Sequence, residues 1–198
     1  CLKIILKDYG TITGLINNAA NDPKVNKNND KKALTRFENI TIDSWQKDVN
    51  VGLTGSFLCS QIFGGFMAKQ KKGVIVNIAS DLSVIAPDQS LYMVEGIAED
   101  SQPVKPVTYS VVKTGLIGLT KYLATYWAKS NIRVNAISPG GILNNQDDQF
   151  LKRIERKIPL QRMAKRDEYK GSILYLLSDA SSYLTGFNLV VDGGRSCW

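Results

Sequence analysis

Apolar residues recur along this chain with two different spacings, and together they predict strands that alternate with helices. Short apolar runs typical of buried parallel strands occupy residues 12–16, 73–80, 132–137 and 188–191. Between them lie longer stretches in which apolar residues recur every three or four positions, as on one face of an amphipathic helix. Such alternation predicts an α/β fold with a parallel sheet covered by helices.

One of the predicted helices carries a tyrosine and a lysine four residues apart. Apolar residues from Val112 to Trp127 give it a firm helical period, and Tyr109 and Lys113 share a face near its N-terminal end. A phenol beside an ammonium is suited to general acid-base chemistry, because the positive charge lowers the tyrosine pKa from about 10 towards neutrality. Taken alone, the pair is equally typical of a solvated helix surface.

The remaining helices are predicted at residues 2–10, 44–67, 149–157 and 167–177, with Asp43 or Ser44 as the cap of the second. The segment between Ser80 and Tyr109 has little periodicity and three prolines, which predicts a loop. Both ends of this segment have side chains that could take part in a reaction. We therefore expect this loop to form a wall of the substrate pocket, with residues 81–89 nearest the reaction.

Composition narrows the functional classes. The chain has 198 residues, 43% of them hydrophobic and 22% charged, which suits a single globular domain. The net charge of +7 is scattered, and the lysine-rich runs at residues 24–32 and 69–72 are typical of solvated loops, so no nucleic-acid partner is expected. No apolar run reaches the roughly 18 residues of a membrane span, so no membrane partner is expected either.

The absence of histidine and the spacing of the cysteines argue against a serine-hydrolase triad and a metal site. Without histidine the chain has no Ser-His-Asp triad and lacks the commonest metal ligand. The three cysteines have no metal-like spacing, so no metal site is predicted, and their odd number favours a reducing, cytoplasmic location.

Five short motifs in this order are similar to those of the short-chain dehydrogenase/reductase family, and the resemblance covers essentially the whole chain. They are Asn17-Asn-Ala-Ala20, Ser80, Tyr109-x-x-x-Lys113, Pro139-Gly140 and Asp192-Gly-Gly194. The resemblance implies a Rossmann-type doubly wound parallel sheet, NAD or NADP as cofactor, and hydride transfer at a carbonyl or alcohol. It also implies a homodimer or homotetramer, in which the two longest helices pair across the interface.

The resemblance assigns roles to individual residues. Tyr109 is the expected acid-base group, Lys113 stabilises its phenolate and bonds the nicotinamide ribose, and Ser80 holds the reacting oxygen. The expected cofactor-binding residues are Asn18, Ala19, Ala20, Tyr109, Lys113, Pro139, Gly140 and Ile142.

Two features depart from the family pattern. Gly52 stands where the family has an asparagine, seven positions after Trp45, and Asn50 is expected to face elsewhere unless the helix is distorted there. The glycine-rich phosphate turn is also absent. Residues 1–198 are therefore expected to be the C-terminal two-thirds of one Rossmann-type domain lacking its first strand-helix units, poorly stable and weak in dinucleotide binding by themselves.

Two functional hypotheses follow. The first is an oxidoreductase, and residues 78–88 and their continuation are similar to oxidoreductases of bacterial surface-sugar and flagellin-modification pathways, which implies a sugar or sugar-nucleotide substrate. The second is a non-catalytic module that uses the same scaffold for binding or regulation, which Gly52 would favour. Nucleic-acid binding is a distant third.

Overall fold

The structure is a computed structural model that describes residues 1–22 and 35–198. The helices are α1 (Leu2–Tyr9), α2 (Ile42–Gln70), α3 (Val107–Tyr126), α4 (Asp148–Glu155) and α5 (Lys170–Leu177). The strands are β1 (Gly14–Asn17), β2 (Gly73–Ile78), β3 (Ile132–Pro139) and β4 (Asn188–Val191). The lysine-rich run at residues 24–32 lies outside the described residues.

The four strands form one parallel sheet in the order β1-β2-β3-β4, as the sequence predicts for an α/β fold. Within β2, adjacent residues point to opposite faces. Ile75 packs with Met67 of α2 and Leu123 of α3, whereas Val76 packs with Leu176 of α5. Helices therefore cover both faces, which confirms the doubly wound Rossmann-type architecture.

Helix α2 begins differently from the prediction. Thr41 is the cap, and its hydroxyl accepts a hydrogen bond from the Ser44 amide at 3.2 Å, whereas Asp43 and Ser44 already lie inside the helix. Two π-helical segments, Asn50–Thr54 and Ser60–Gly64, interrupt the α-helical geometry. The distortion at residue 50 leaves the Asn50 side chain exposed.

By length and average hydropathy, α2 meets the criterion for a membrane-spanning helix, with a mean hydropathy of 1.3 over its most apolar window. A single helix of this kind is weak evidence for a membrane span, because the core helix of a soluble protein can meet the same criterion. One face of α2 packs on the sheet through the fully buried Met67, and Gly64 approaches Trp127. Phe57, Leu58 and Ile62 remain exposed on the helix. We interpret α2 as a helix that packs one face against the sheet and exposes a second apolar surface.

Buried polar side chains connect β1 to the centre of the sheet. The Asn17 amide donates to Asn77 Oδ1 at 2.7 Å and to Ser60 Oγ at 3.0 Å. The Asn77 amide in turn donates to Thr120 Oγ1 at 2.8 Å. These bonds satisfy amide groups that are buried next to the core.

The segment between β2 and α3 is mainly irregular, as predicted. It contains the short 3₁₀ turns Asp81–Ser83, Gln89–Tyr92 and Glu99–Ser101. The buried Gln102 side chain bonds the backbone of Val94 and Ile97, which closes the segment on itself.

Candidate active site

A cavity of about 1100 Å³ opens at the carboxyl ends of the strands. This is the edge at which parallel α/β sheets bind ligands. The predicted residues that line it are Ser80, Tyr109, Lys113, Pro139, Gly140 and Ile142. The structure thus brings together in one cavity side chains that are widely separated in the sequence.

Tyr109 and Lys113 enter the cavity from the first turns of α3. The Ser80 side chain lies in the same cavity and is close enough to the tyrosine hydroxyl to affect its pKa. Lys113 Nζ donates to the carbonyl oxygen of Ile78 at 2.8 Å and lies 5.7 Å from the centre of the Tyr109 ring. Ile78 is the last residue of β2, and Ser80 follows it closely. The end of β2 is therefore next to both Lys113 and Tyr109.

The pKa of Tyr109 differs from the sequence prediction. Burial, with smaller contributions from the charges of Asp22 and Asp81, raises the pKa of Tyr109 to about 12, and the interaction with Ser80 opposes this rise. Burial also lowers the pKa of Lys113 to about 8, an effect to which Lys105 adds and which Asp22 opposes. The prediction that the ammonium brings the tyrosine pKa towards neutrality is therefore wrong, because desolvation is the largest effect on this pKa and raises it.

Lys105, which is not among the predicted site residues, reaches the same tyrosine. Its Nζ lies 3.9 Å from the centre of the Tyr109 ring and 2.5 Å from Asp22 Oδ1. A cation over an aromatic face is attracted by the ring quadrupole. The only signal in the sequence is the position of Lys105 just before the helix, which does not distinguish it from other surface lysines.

Arg195 is a second residue of the site that is not among the predicted ones. Its guanidinium lies 2.6 Å from Asp81 Oδ2, in an ion pair whose side chains are only 11% and 5% exposed. The Asp192-Gly-Gly194 motif builds the turn that brings it there, because Asp192 accepts hydrogen bonds from the amides of Gly194 and Ser196. Positive φ angles at Gly193 and Gly194 complete the turn. An arginine directly after a Gly-Gly turn at a strand end was the available signal.

The loop between β2 and α3 contributes to the cavity wall, through the start of the stretch expected to be nearest the reaction and through a later stretch. Asp81 and Leu82 line the cavity, as does the later stretch of residues 91–94. Asp88, within the expected stretch, instead pairs with Lys157 at 3.0 Å and bonds the Ser90 hydroxyl and amide. The 3₁₀ turn Gln89–Tyr92 returns the chain to the site, which sequence periodicity cannot reveal.

Packing within the protein leaves no room for a side chain at Gly140. A Cβ atom at this position would lie 3.0 Å from the Cα of Asp192, inside the protein, so the glycine permits the close approach of two strand ends. The Tyr169 hydroxyl donates to the Gly140 carbonyl oxygen at 2.9 Å. Ile142 pairs with Ala164 in an isolated bridge. This segment is therefore a fixed part of the cavity wall.

Not every predicted residue reaches the cavity. Asn18, Ala19 and Ala20 follow β1 at the same edge of the sheet but are not among the residues that line the cavity. Gly52 is buried against α3, and a Cβ atom there would lie 2.4 Å from Val112 Cγ1. This contact explains why position 52 has no side chain in this chain.

The donor set suits the nicotinamide end of a dinucleotide. The ammonium of Lys113 has three donors, and its bond to Ile78 uses one, so it can also reach ribose hydroxyls. Pro139, Gly140 and Ile142 form an uncharged wall on which a nicotinamide ring can lie. The cavity volume leaves room for a small substrate beside it.

Comparison with known proteins identifies the family. Residues 1–93 match the family model for short chain dehydrogenases, and residues 97–196 match the model described as enoyl-(acyl carrier protein) reductase. A short chain dehydrogenase from Leptospira borgpetersenii, solved with bound NAD+, has a TM-score of 0.84 and 34% sequence identity, over 98% of this chain and 68% of that one.

Two curated relatives indicate the range of activities in the family. D-arabinitol 2-dehydrogenase of Candida tropicalis is 43% identical over 73% of this chain and 49% of that enzyme. Post-translational flagellin modification protein A of Campylobacter coli is 36% identical over 75% of this chain and 56% of that protein. The chain thus spans about half the length of these curated relatives. From the family models, the fold and the site together, the chain belongs to the short-chain dehydrogenase/reductase family.

Proposed function

We propose that the protein is an NAD- or NADP-dependent oxidoreductase that interconverts an alcohol and a carbonyl compound. The observation that carries this proposal is that Ser80, Tyr109 and Lys113 converge in one cavity at the carboxyl ends of the strands, with Tyr109 and Lys113 on the same face of α3. A non-catalytic module would not need these three groups to converge.

Each side chain has a role that follows from its chemistry. In reduction, the Tyr109 hydroxyl gives its proton to the carbonyl oxygen, and in oxidation the phenolate accepts the proton of the alcohol. Ser80 hydrogen-bonds the same oxygen and fixes its distance from Tyr109. Lys113 stabilises the phenolate and holds the nicotinamide ribose. The bound nicotinamide supplies or takes the hydride. Asn18, Ala19 and Ala20 contact the cofactor through their backbone where the chain leaves β1.

We further propose a polyhydroxylated substrate, a sugar, sugar alcohol or sugar nucleotide. The relatives named above include an enzyme of a sugar alcohol and a flagellin-modification protein. The cavity offers both charged and carbonyl groups for hydroxyl recognition, including Arg153, Asn144 and Gln146. We expect the reaction to take place in the cytoplasm, in keeping with three cysteines that are all unpaired.

The test is a turnover screen with the protein expressed from its full coding sequence. Oxidation of NADH or NADPH is followed by absorbance against sugars and sugar nucleotides, and the reverse reaction is measured with sugar alcohols. Tyr109→Phe should lower kcat/KM by about 10²–10⁴-fold and leave cofactor affinity nearly unchanged, because it removes the proton donor alone. Cofactor binding without turnover of any carbonyl or alcohol would instead favour the non-catalytic module.

We also propose a homodimer or homotetramer. Helix α2 exposes Phe57, Leu58 and Ile62, and the neighbouring α3 exposes Tyr122 and Tyr126. Apolar surface of this kind marks an interaction site, and the other chain of a symmetric pair presents the same surface. Light scattering at micromolar concentration should report a dimer or larger species, and Ile62→Lys should shift it towards the monomer. A monomeric wild-type protein would contradict the proposal.

A further inference from the structure

The ion pair between Asp81 and Arg195 lies directly behind the candidate catalytic residues. It joins the residue after Ser80 to a turn that is 114 positions away in the sequence. Both side chains are nearly inaccessible to solvent. A buried ion pair gains little stability over apolar packing, because desolvation of the charges offsets their attraction. Its place at the active site suggests a functional role.

Both carboxylate oxygens of Asp81 are engaged. Oδ2 accepts from Arg195 at 2.6 Å, while Oδ1 accepts from Ser80 Oγ at 2.9 Å and from the Leu82 amide at 2.8 Å. An ionised carboxylate can only accept hydrogen bonds, so the hydrogen of the Ser80 hydroxyl points to Asp81. The Ser80 hydroxyl therefore donates to Asp81, and its oxygen accepts a hydrogen bond from the Leu82 amide at 3.2 Å.

We propose that Asp81 and Arg195 are positioning residues for the Tyr109-Ser80 pair. Asp81 orients the Ser80 hydroxyl, and Arg195 neutralises the carboxylate so that its charge does not oppose formation of the phenolate at Tyr109. This inference rests on the proposed function. It assigns a role in the site to the turn after β4, which Asp192 and its two glycines build.

The charges around Tyr109 make the effect measurable. Asp22, in the segment after β1, and Asp81 both raise the tyrosine pKa. Lys113 faces the Tyr109 ring from α3, and Lys105 faces it from the residues before this helix. Tyr92 also lines the cavity, where burial raises its pKa to about 12 and the charge of Arg195 opposes this rise. Removal of the guanidinium leaves Asp81 as an uncompensated anion among these groups, which disfavours a second negative charge on Tyr109.

The test compares pH profiles of alcohol oxidation for wild type, Arg195→Met, Arg195→Lys and the double variant Asp81→Asn/Arg195→Met. In Arg195→Met the midpoint of kcat/KM should move up by about one pH unit, because the phenolate forms less readily. Arg195→Lys retains the charge and should keep the wild-type midpoint. The double variant removes both charges and should restore it. Arg156→Met, at an exposed position, is the matched control and should leave the profile unchanged.

A second readout does not depend on turnover. A difluorotyrosine placed at position 109, whose phenol is more acidic, can be titrated by fluorine NMR in the ligand-free protein, and Arg195→Met should shift its midpoint in the same direction. Equal midpoints in all variants, whether or not kcat/KM and the melting temperature fall, would show that the pair is only structural. A shifted fluorine titration in a protein that turns over no substrate would support the positioning role and overturn the proposed function.

Discussion

Gly52 permits a sharp test of how α2 and α3 pack. In the family pattern an asparagine occupies this position, and the corresponding perturbation is Gly52→Asn. A Cβ atom here would lie 2.4 Å from Val112 Cγ1, whereas carbon atoms in contact are about 3.5–4.0 Å apart. The valine methyl would have to move by about 1 Å in a close-packed core.

The cost follows from this overlap. Overpacking a core typically costs about 1–3 kcal/mol, and asparagine recovers only a few tenths of that through a better helix propensity than glycine. We expect Gly52→Asn to lower the free energy of unfolding by about 2 kcal/mol. For a domain of this size, that lowers the melting temperature by roughly 4–8 °C.

The assay is thermal unfolding of four proteins: wild type, Gly52→Asn, Val112→Ala and the double variant. Removal of the Val112 methyl groups makes room for the new side chain, so the double variant should be more stable than the sum of the single effects by about 1–3 kcal/mol. Gly171→Asn is the matched control, because a Cβ atom there meets nothing within 4 Å. Additive effects within about 0.5 kcal/mol would refute the packing explanation.

Two further predictions concern stability. Arg133 donates to the carbonyl oxygens of Leu176, Ser178 and Leu184. Arg133→Met should therefore lower the melting temperature by roughly 4–12 °C, whereas Arg156→Met, at an exposed position, should have little effect. Equal melting temperatures of the two variants would contradict this. Lys113 has a folded-state pKa of about 8, below its ordinary value of 10.5, so the folded protein holds fewer protons than the unfolded one between these pH values. The charged Lys113 lowers the free energy of unfolding, and this effect is fully present below pH 8 and disappears as the pH rises through this window. The stability of wild type relative to Lys113→Met should therefore increase from pH 8 to pH 10, as measured by urea unfolding, and a constant difference would exclude deprotonation of Lys113.

The sequence predicted the parts of the site that depend on local periodicity. The four-residue spacing of Tyr109 and Lys113 places both on one face of any helix that contains them, and α3 begins at Val107, two residues before the predicted start. Likewise, the apolar runs specify buried strands, whose carboxyl ends meet at one edge. Ser80 was therefore placed correctly without any knowledge of its partners.

Long-range contacts and burial could not be predicted in this way. The direction of the Tyr109 pKa shift depends on desolvation by walls that come from distant segments, and Lys113 alone suggests the opposite sign. Asp81 and Arg195 are ordinary charged residues until the fold brings them together. The cap of α2 depends on where the backbone changes from extended to helical, which is at Thr41. Residue type alone does not reveal this position, so the sequence pointed to Asp43 or Ser44 instead.

The buried amides of Asn17 and Asn77 determine how β1 can join the sheet. The two residues stand opposite each other in the register of β1 and β2. A slip by one residue would place Asn17 opposite Val76 or Ile78 and leave polar groups buried without partners, at about 1–3 kcal/mol for each group. An all-aliphatic pair would tolerate such a slip far better. The asparagine pair thus makes the observed register of β1, a strand of only four residues, more stable than the registers shifted by one residue.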